Sequence, residues 1–345
     1  MDQTEASPTG TDAAPRARDG APARGGGPLV SIVVPVFNEE AMIPVYLEAM
    51  APVLSKVRSA LGPRGRTEIV FVDDGSRDGT ATAVREAALA GVAIRLVRLS
   101  RNFGKDAALA AGLAHARGDA VVPMDVDLQD PPGILPEMVA AWMGGARIVN
   151  AVRADRSTDG WVKRMGARAF YAVFDRLATY PVHPNVGDCR LLDREVVDVV
   201  NRMPERVRFM KGLFSWLGYR PVEIPYHREA RAAGESKWKL WALWNFALDG
   251  ITGSTTLPLR IWTYFGGAMA VLALGFATWI VLRTLIWGVD VPGYASLMVV
   301  VLTLSAINLV ALGILGEYIG RIAVEVRQRP LYLVDTVEEI DAAGA

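Results

Sequence analysis

The stretch Val121–Pro132 reads V-V-P-M-D-V-D-L-Q-D-P-P. A short apolar run, Ala120–Met124, stops at two aspartates one residue apart, Asp125 and Asp127, and Gln129 and Asp130 follow. A buried strand that ends in closely spaced carboxylates delivers hard oxygen ligands to the carboxyl edge of a sheet, where an open α/β sheet binds its ligand. Mg2+ or Mn2+ held by one or two carboxylates, with substrate phosphates completing the shell, suits such an edge. Taken alone, the pattern reads equally well as a strand and a solvated acidic turn, so its neighbours decide.

Those neighbours repeat one design. Leu29–Val36 is an apolar, mostly β-branched run that predicts a strand buried on both faces. It ends in Phe37-Asn38-Glu39-Glu40, before an amphipathic segment to about Ala60. A second strand over Glu68–Val72 runs into Asp73-Asp74-Gly75-Ser76-Arg77-Asp78-Gly79-Thr80, an acidic, glycine-containing loop able to approach a ligand closely. Ser76 or Asp78 serves equally as a cap for a helix over Thr80–Leu89. A third strand, Ile94–Leu99, precedes Ser100–Lys105, where a Gly-Lys pair opens an alanine-rich helix to about Ala116 and offers N–H groups and a cation to phosphate. The spacing is not that of a P-loop. A helix around Ile134–Trp142 and a strand at Arg147–Val152 continue the alternation, which predicts a mainly parallel α/β sheet with helices on both faces.

Composition narrows the class. Lys plus Arg and Asp plus Glu number 37 each, so the balance offers no case for nucleic acid as a partner. One cysteine, Cys189, excludes an internal disulfide and fits a reducing compartment, and His115, His183 and His227 show no zinc spacing. Residues 1–28 are rich in Ala, Gly and Pro without apolar periodicity; a disordered tail is expected there, with no signal-peptide core and hence a cytoplasmic N-terminus. Ile261–Leu282 and Ala295–Leu315 are uncharged and each at least about 20 residues long, enough to cross a bilayer. Arg260 precedes the first, and Arg321, Arg327 and Arg329 follow the second, so both ends are expected in the cytoplasm. Between soluble domain and spans, Trp238, Trp241, Trp244 and Phe246 with Lys237 and Lys239 predict an interfacial amphipathic helix. The organisation expected is a tail at 1–28, a catalytic domain at 29–236, a juxtamembrane segment at 237–260, two spans within 261–320 and a cytoplasmic tail at 321–345. Gly316 and Gly320 have the small-xxx-small spacing of helix contacts, compatible with a homo-oligomer.

V-V-P-V-F-N-E-E, V-D-D-G-S-R-D-G-T, R-N-F-G-K-D-A-A-L and M-D-V-D-L-Q-D-P-P occur in that order. With G-D-C-R-L-L-D-R at Gly187–Arg194, R-F-M-K-G at Arg208–Gly212 and R-x-x-G-E-S-K-W at Arg231–Trp238, the set resembles glycosyltransferase family 2 and its GT-A nucleotide-sugar fold. More narrowly it is similar to polyprenyl-phosphate glycosyltransferases, the dolichol-phosphate mannose synthases and bacterial bactoprenol glucosyltransferases. The resemblance covers Leu29 to about Pro330.

It implies that Pro35, Asn38, Glu39, Asp73, Asp74 and Gly75 grip the nucleotide sugar, with Lys105 and Asp125 near its phosphates. Asp125, Asp127 and Gln129 match the family's metal motif, where Mg2+ or Mn2+ would neutralise charge on the leaving diphosphate. Asp188 stands where the family has its catalytic aspartate, and Cys189 replaces the usual aromatic beside it. A phosphate acceptor has a second pKa of about 6 and needs little help from a base, so Asp188 acts either as base or as positioner. For the acceptor phosphate, the resemblance points to Arg153, Arg164, Ser236 and Lys237. The implied activity is inverting transfer of a hexose from a nucleotide diphosphate sugar to polyprenyl phosphate at the cytoplasmic membrane, with UDP-glucose the first donor candidate and GDP-mannose the second. The alternatives are a non-catalytic nucleotide-sugar-binding scaffold, or a processive polysaccharide synthase, whose Q-x-x-R-W motif and additional spans this chain lacks.

Overall fold

Apolar runs bounded by loop-forming residues become the strands of one sheet. The computed structural model describes residues 27–153, 186–203, 205, 213–214, 216–226, 257–287 and 293–340. The elements are β1 (Leu29–Val36), α1 (Met42–Ala60), β2 (Arg66–Asp73), α2 (Thr80–Arg85), β3 (Val92–Leu99), α3 (Lys105–His115) and β4 (Ala120–Pro123). After a single 3-10 turn at Pro132–Ile134 come α4 (Leu135–Met143), β5 (Ile148–Arg153), β6 (Val186–Asp193), α5 (Arg194–Arg202) and β7 (Val222–Tyr226). Two long helices, α6 (Leu257–Trp287) and α7 (Tyr294–Val326), precede a last strand, β8 (Val334–Ile340).

The strands form one sheet in the order β7-β5-β6-β4-β1-β2-β3-β8. Pairs β1–β2, β1–β4, β2–β3 and β5–β7 are parallel; β6 runs antiparallel to β4 and β5, and β8 to β3. The expected mainly parallel sheet is therefore present. Alternation sends successive side chains to opposite faces. Val30, Ile32, Val34 and Phe71 meet Tyr46, Met50, Met138 and Trp142 of α1 and α4, whereas Val33, Val70 and Val72 meet Ala108, Leu113 and Val197 of α3 and α5. Both faces are covered, which is why these strands read as continuous apolar runs.

The amino ends of the strands are closed by a buried polar cluster. Ser31 Oγ donates to Glu68 Oε1 at 2.5 Å, the Gly118 and Arg117 N–H groups donate to Ser31 Oγ and Glu68 Oε1 at 2.7 Å each, and Arg95 lies 3.6 Å from Glu68. A buried carboxylate is tolerated when so many donors meet it. This closure leaves the opposite, carboxyl edge open to a ligand.

Helix α2 stops at Arg85, short of the expected Leu89. The reading of 321–345 as a tail missed a strand: Val334–Ile340 pairs with β3 from Leu99 to Ile94. Its alternation, V-D-T-V-E-E-I, is too polar to announce a core strand; Arg85, paired with Glu338 at 2.7 Å, and Arg95 and Arg117, near Glu339 at 3.5 and 2.7 Å, help to hold it. Helices α6 and α7 cover both expected spans. Among the described residues one stretch, Thr303–Val326, is long and apolar enough to cross a membrane by length and composition, and a shorter apolar stretch, Tyr264–Phe276, lies in α6. The expected tail over 1–26, most of the interfacial segment, His183, His227, Arg164, Ser236 and Lys237 lie outside the described residues.

Helix α3 can sit close to the sheet because Gly112 faces it. A Cβ there would overlap Val33 Cγ1 and approach Val72 Cγ2 to 3.1 Å, and both valines are fully buried. Gly112→Val is therefore expected to lower stability by about 1–3 kcal/mol through overpacking, seen as a lower Tm of the detergent-solubilised protein beside wild type.

Candidate active site at the carboxyl edge of the sheet

Strands β1, β2 and β4 are parallel neighbours, so the loops that follow them emerge side by side. Asp73 ends β2 in register with Val36, the last residue of β1. Pairing of β4 with β1 stops at Val33–Pro123, and the Met124 N–H still donates to Val33 O at 2.9 Å. Pro35 lies beyond that point, where the chain tolerates a residue without an N–H.

The β1 and β2 loops are laced together. Asn38 N–H donates to Ser76 Oγ at 2.9 Å, Asn38 Oδ1 accepts from Arg77 N–H at 2.9 Å, and Glu39 N–H donates to Thr80 Oγ1 at 2.8 Å. Asn38 has φ +54°, a left-handed conformation that Asn adopts more readily than most residues. Asp78 Oδ1 accepts the Thr80 N–H at 3.1 Å, a turn bond just before α2; the N-cap position itself is Gly79, with no side-chain cap, so neither Ser76 nor Asp78 occupies the expected capping position. Gly75, at φ +71°, lies against the Arg101 backbone, where a Cβ would come within 2.5 Å of the carbonyl carbon.

The two adjacent aspartates do different work. Asp73 is fully buried; its Oδ1 accepts Ser76 N–H at 2.8 Å and its Oδ2 accepts Arg98 Nε–H at 3.1 Å. Asp74 Oδ1 and Oδ2 accept the N–H groups of Phe103 and Gly104 at 2.7 and 2.8 Å. Burial raises the Asp74 pKa above its ordinary value, opposed by those two N–H groups and reinforced by Asp73. Asp74 thus fixes the loop that leads into α3, and Gly104 at φ +98° lets the chain turn there.

Helix α3 then begins at Lys105, whose ammonium reaches the loop after β4. Lys105 Nζ lies 2.7 Å from Asp125 Oδ1 and 2.8 Å from Oδ2, and both side chains are partly exposed. Asp127 is partly exposed too, and its Oδ2 accepts Nε2–H of buried Gln129 at 2.7 Å. Among the described residues no group of three or more His, Cys, Asp or Glu side chains is arranged to hold a metal. Any ion here would rest on Asp125 and Asp127 and take further oxygens from its ligand.

On the other side of the sheet, β5 runs parallel to β4 through antiparallel β6, so Arg153 also reaches this edge. Asp188 lies in β6, at the irregular pairing between Asn150–Arg190 and Val152–Val186 and thus level with the carboxyl half of β5. Cys189 is buried in the core, as expected of a small packed residue, and the Arg190 guanidinium lies 4.4 Å from the centroid of the Phe214 ring. Sequence patterns missed Arg98, Asp130 and Tyr226. Asp130 stood beside the acidic motif, but Arg98 and Tyr226 are marked by no spacing rule.

Comparison with known proteins shows the family. A model of glycosyl transferase family 2 matches residues 31–200, and a model of the GtrB C-terminal hairpin matches 257–322. The SfII prophage-derived bactoprenol glucosyl transferase of Shigella flexneri is 46% identical over 305 residues, 88% of this chain and 97% of that protein. The chain belongs to glycosyltransferase family 2. The prophage bactoprenol glucosyl transferase homolog of Escherichia coli K12 is 44% identical to this glycosyltransferase over 310 residues, 90% of the chain and 99% of the homolog. A mannosyltransferase of Pyrobaculum calidifontis, solved with GDP-Man and Mn2+, is 20% identical with a TM-score of 0.41, covering 77% of this chain and 87% of that one.

Removing the Arg98 guanidinium would leave the fully buried Asp73 carboxylate with one fewer charged donor. Arg98→Ala is expected to destabilise the glycosyltransferase by about 2 kcal/mol. Equilibrium denaturation of the variant beside wild type checks this, with Arg98→Lys falling between the two.

Proposed function

We propose that this glycosyltransferase moves a hexose from a nucleotide diphosphate sugar to a polyprenyl phosphate at the cytoplasmic face of a membrane, with inversion. UDP-glucose is the favoured donor and GDP-mannose the second. One piece of geometry carries the donor half: Lys105 and the paired carboxylates Asp125 and Asp127 occupy the same sheet edge as the laced Asn38 and Asp73 loops. That edge offers a cation to a diphosphate, and carboxylate ligands to the divalent ion that would accompany it. The activity for which the bactoprenol glucosyl transferases are named, in proteins similar over nearly their whole length, supports the acceptor half and the choice of glucose.

The donor set fits a hard divalent ion. Asp125 and Asp127 supply oxygens from one loop, and the ammonium already drawn to Asp125 marks the position as one that favours positive charge. Gln129, placed among the ligands by resemblance, holds Asp127 through its Nε2, so orienting that carboxylate is part of its role. Bound there, Mg2+ or Mn2+ would offset the negative charge that grows on the departing nucleoside diphosphate. Lys105 is close enough to Asp125 to share that work. In the transfer, a phosphate oxygen of the acceptor forms a bond to the anomeric carbon as the bond from that carbon to the diphosphate oxygen breaks, from opposite faces. The attacking oxygen is already largely ionised near neutral pH. That leaves Asp188 as a positioner as readily as a base, at the edge where Arg153 would receive the acceptor phosphate; Arg164, Ser236 and Lys237 join Arg153 in that role by resemblance alone.

The membrane part of the proposal rests on α6 and α7. At about 1.5 Å per residue their 31 and 33 residues are each longer than a hydrocarbon core of about 30 Å. Val271, Leu272, Leu274 and Phe276 of α6 and Leu309, Val310 and Leu312 of α7 are exposed, which suits a lipid surround. Both helices are read as spans, with the catalytic domain and the returning strand on the cytoplasmic side. From Val326 only a short segment leads to Val334, beside Leu99 at the catalytic edge, so the edge is tethered near the hairpin.

The test incubates the membrane-embedded protein with undecaprenyl phosphate, Mg2+ or Mn2+ and labelled UDP- and GDP-sugars. Label is expected to enter the organic phase from UDP-glucose, to stop with chelator, and to fall on the order of 10²-fold in Asp127→Ala. Nucleotide binding without lipid-linked label from any donor would establish the scaffold reading instead.

A further inference from the structure

The acidic loop is held at its far end by a residue outside every motif. Asp130 is buried, and its Oδ1 accepts a short hydrogen bond from the Tyr226 hydroxyl, 96 residues away in sequence. Tyr226 is the last residue of β7, also buried, and stands in register with Arg153 at the end of β5. Arg153 Nε–H points to the same phenol oxygen at 3.4 Å. The result is a relay, Arg153 to Tyr226 to Asp130, in which the phenol uses both its donor and its acceptor capacity. Burial, and next the hydrogen bond to Asp130, push the Tyr226 pKa up, so the hydroxyl keeps its proton near neutral pH.

The loop between Asp125 and Asp130 needs such a hold. Leu128 has φ +55°, a left-handed conformation disfavoured for a side chain of that size. A strained backbone of this kind persists only when its surroundings fix it. The near end is fixed by Met124 N–H on Val33 O, and the far end by Asp130 on Tyr226. The ring of Tyr226 would fill the core equally well as phenylalanine; the hydroxyl is what reaches the loop.

We propose that Tyr226 is a positioning residue of the donor site: its hydroxyl fixes the loop that presents Asp125 and Asp127, and ties that loop to Arg153 on the acceptor side. This rests on reading the loop as the metal–diphosphate site. The tie gives the acceptor side a physical connection to the donor side, because a phosphate drawing on Arg153 pulls on the same phenol oxygen that secures the loop.

The full-length protein in detergent or nanodiscs is titrated with UDP in the presence of Mn2+, for wild type, Tyr226→Phe, Asp130→Ala, Asp130→Asn and the Phe/Ala double variant. Tyr226→Phe and Asp130→Ala are each expected to weaken Mn2+-dependent UDP binding about tenfold. The double variant should be no weaker than either, since both remove one interaction. Asp130→Asn keeps an oxygen that accepts the Tyr226 O–H and should stay within about threefold of wild type. In turnover, Tyr226→Phe should raise the donor KM by more than it lowers kcat. Wild-type affinity in Tyr226→Phe, or fully additive losses in the double variant, overturns the proposal while leaving the donor site standing. Wild type without Mn2+-dependent UDP binding overturns the donor-site reading and this proposal with it. Should Tyr226→Phe fail to fold, Asp130→Ala against Asp130→Asn makes the same comparison, and equal affinities there overturn it.

Discussion

Two backbone N–H groups, those of Phe103 and Gly104, end on one carboxylate, Asp74. The carboxyl edge of the sheet depends on that arrangement. Asp74 follows the last residue of β2, and its own N–H donates to Val36 O at 2.9 Å, so its position is set by the central strands. The loop it captures delivers α3, and α3 delivers Lys105 to Asp125. A buried carboxylate is costly unless it is met by donors. Here the donors are two N–H groups that would otherwise be unpaired at a helix entry. The desolvation of the acid and the loose ends of the loop thus offset one another.

The same economy of local pairing runs along the edge. Asn38, Ser76, Asp78 and Thr80 use their short polar side chains on neighbouring backbone groups, which turns two loops into one rigid lip. Asp73 is buried against Arg98, a residue of the next strand, so the β2 side of the lip is bound to the sheet as well. Lys105, Asp125 and Asp127, the charges with a proposed ligand to meet, remain at least partly exposed.

The hairpin of α6 and α7 joins this edge through β8. A strand that returns antiparallel to β3 begins at the carboxyl end of its partner, so the chain coming from α7 arrives at Leu99 and Ser100. The Ser100 N–H donates to Leu333 O at 2.9 Å, which places the returning chain next to the loop that Asp74 holds. Glu338 on Arg85 and Glu339 near Arg95 and Arg117 secure β8 where its polar pattern offers little apolar surface.

Strong local signals determined much of this protein in advance. The strands β1 to β5 and helices α1, α3 and α4 are written in apolar periodicity and in the glycines, prolines and aspartates between them, because burial on two faces leaves little freedom of composition. The carboxylates at strand ends were legible for the same reason: parallel strands covered by helices expose only their ends. Sequence also carried the family, through ordered motifs that span most of the chain. Tertiary structure alone decided which partners those carboxylates take. Nothing local joins Asp73 to Arg98, or Asp130 to Tyr226, since each pair meets across separate strands or loops. Strand β8 was hidden because an edge strand with one exposed side needs no apolar run; it is recognised by the strand and the arginines it meets. Pairing across long sequence separations is a property of the folded sheet, and no single stretch of the chain contains it.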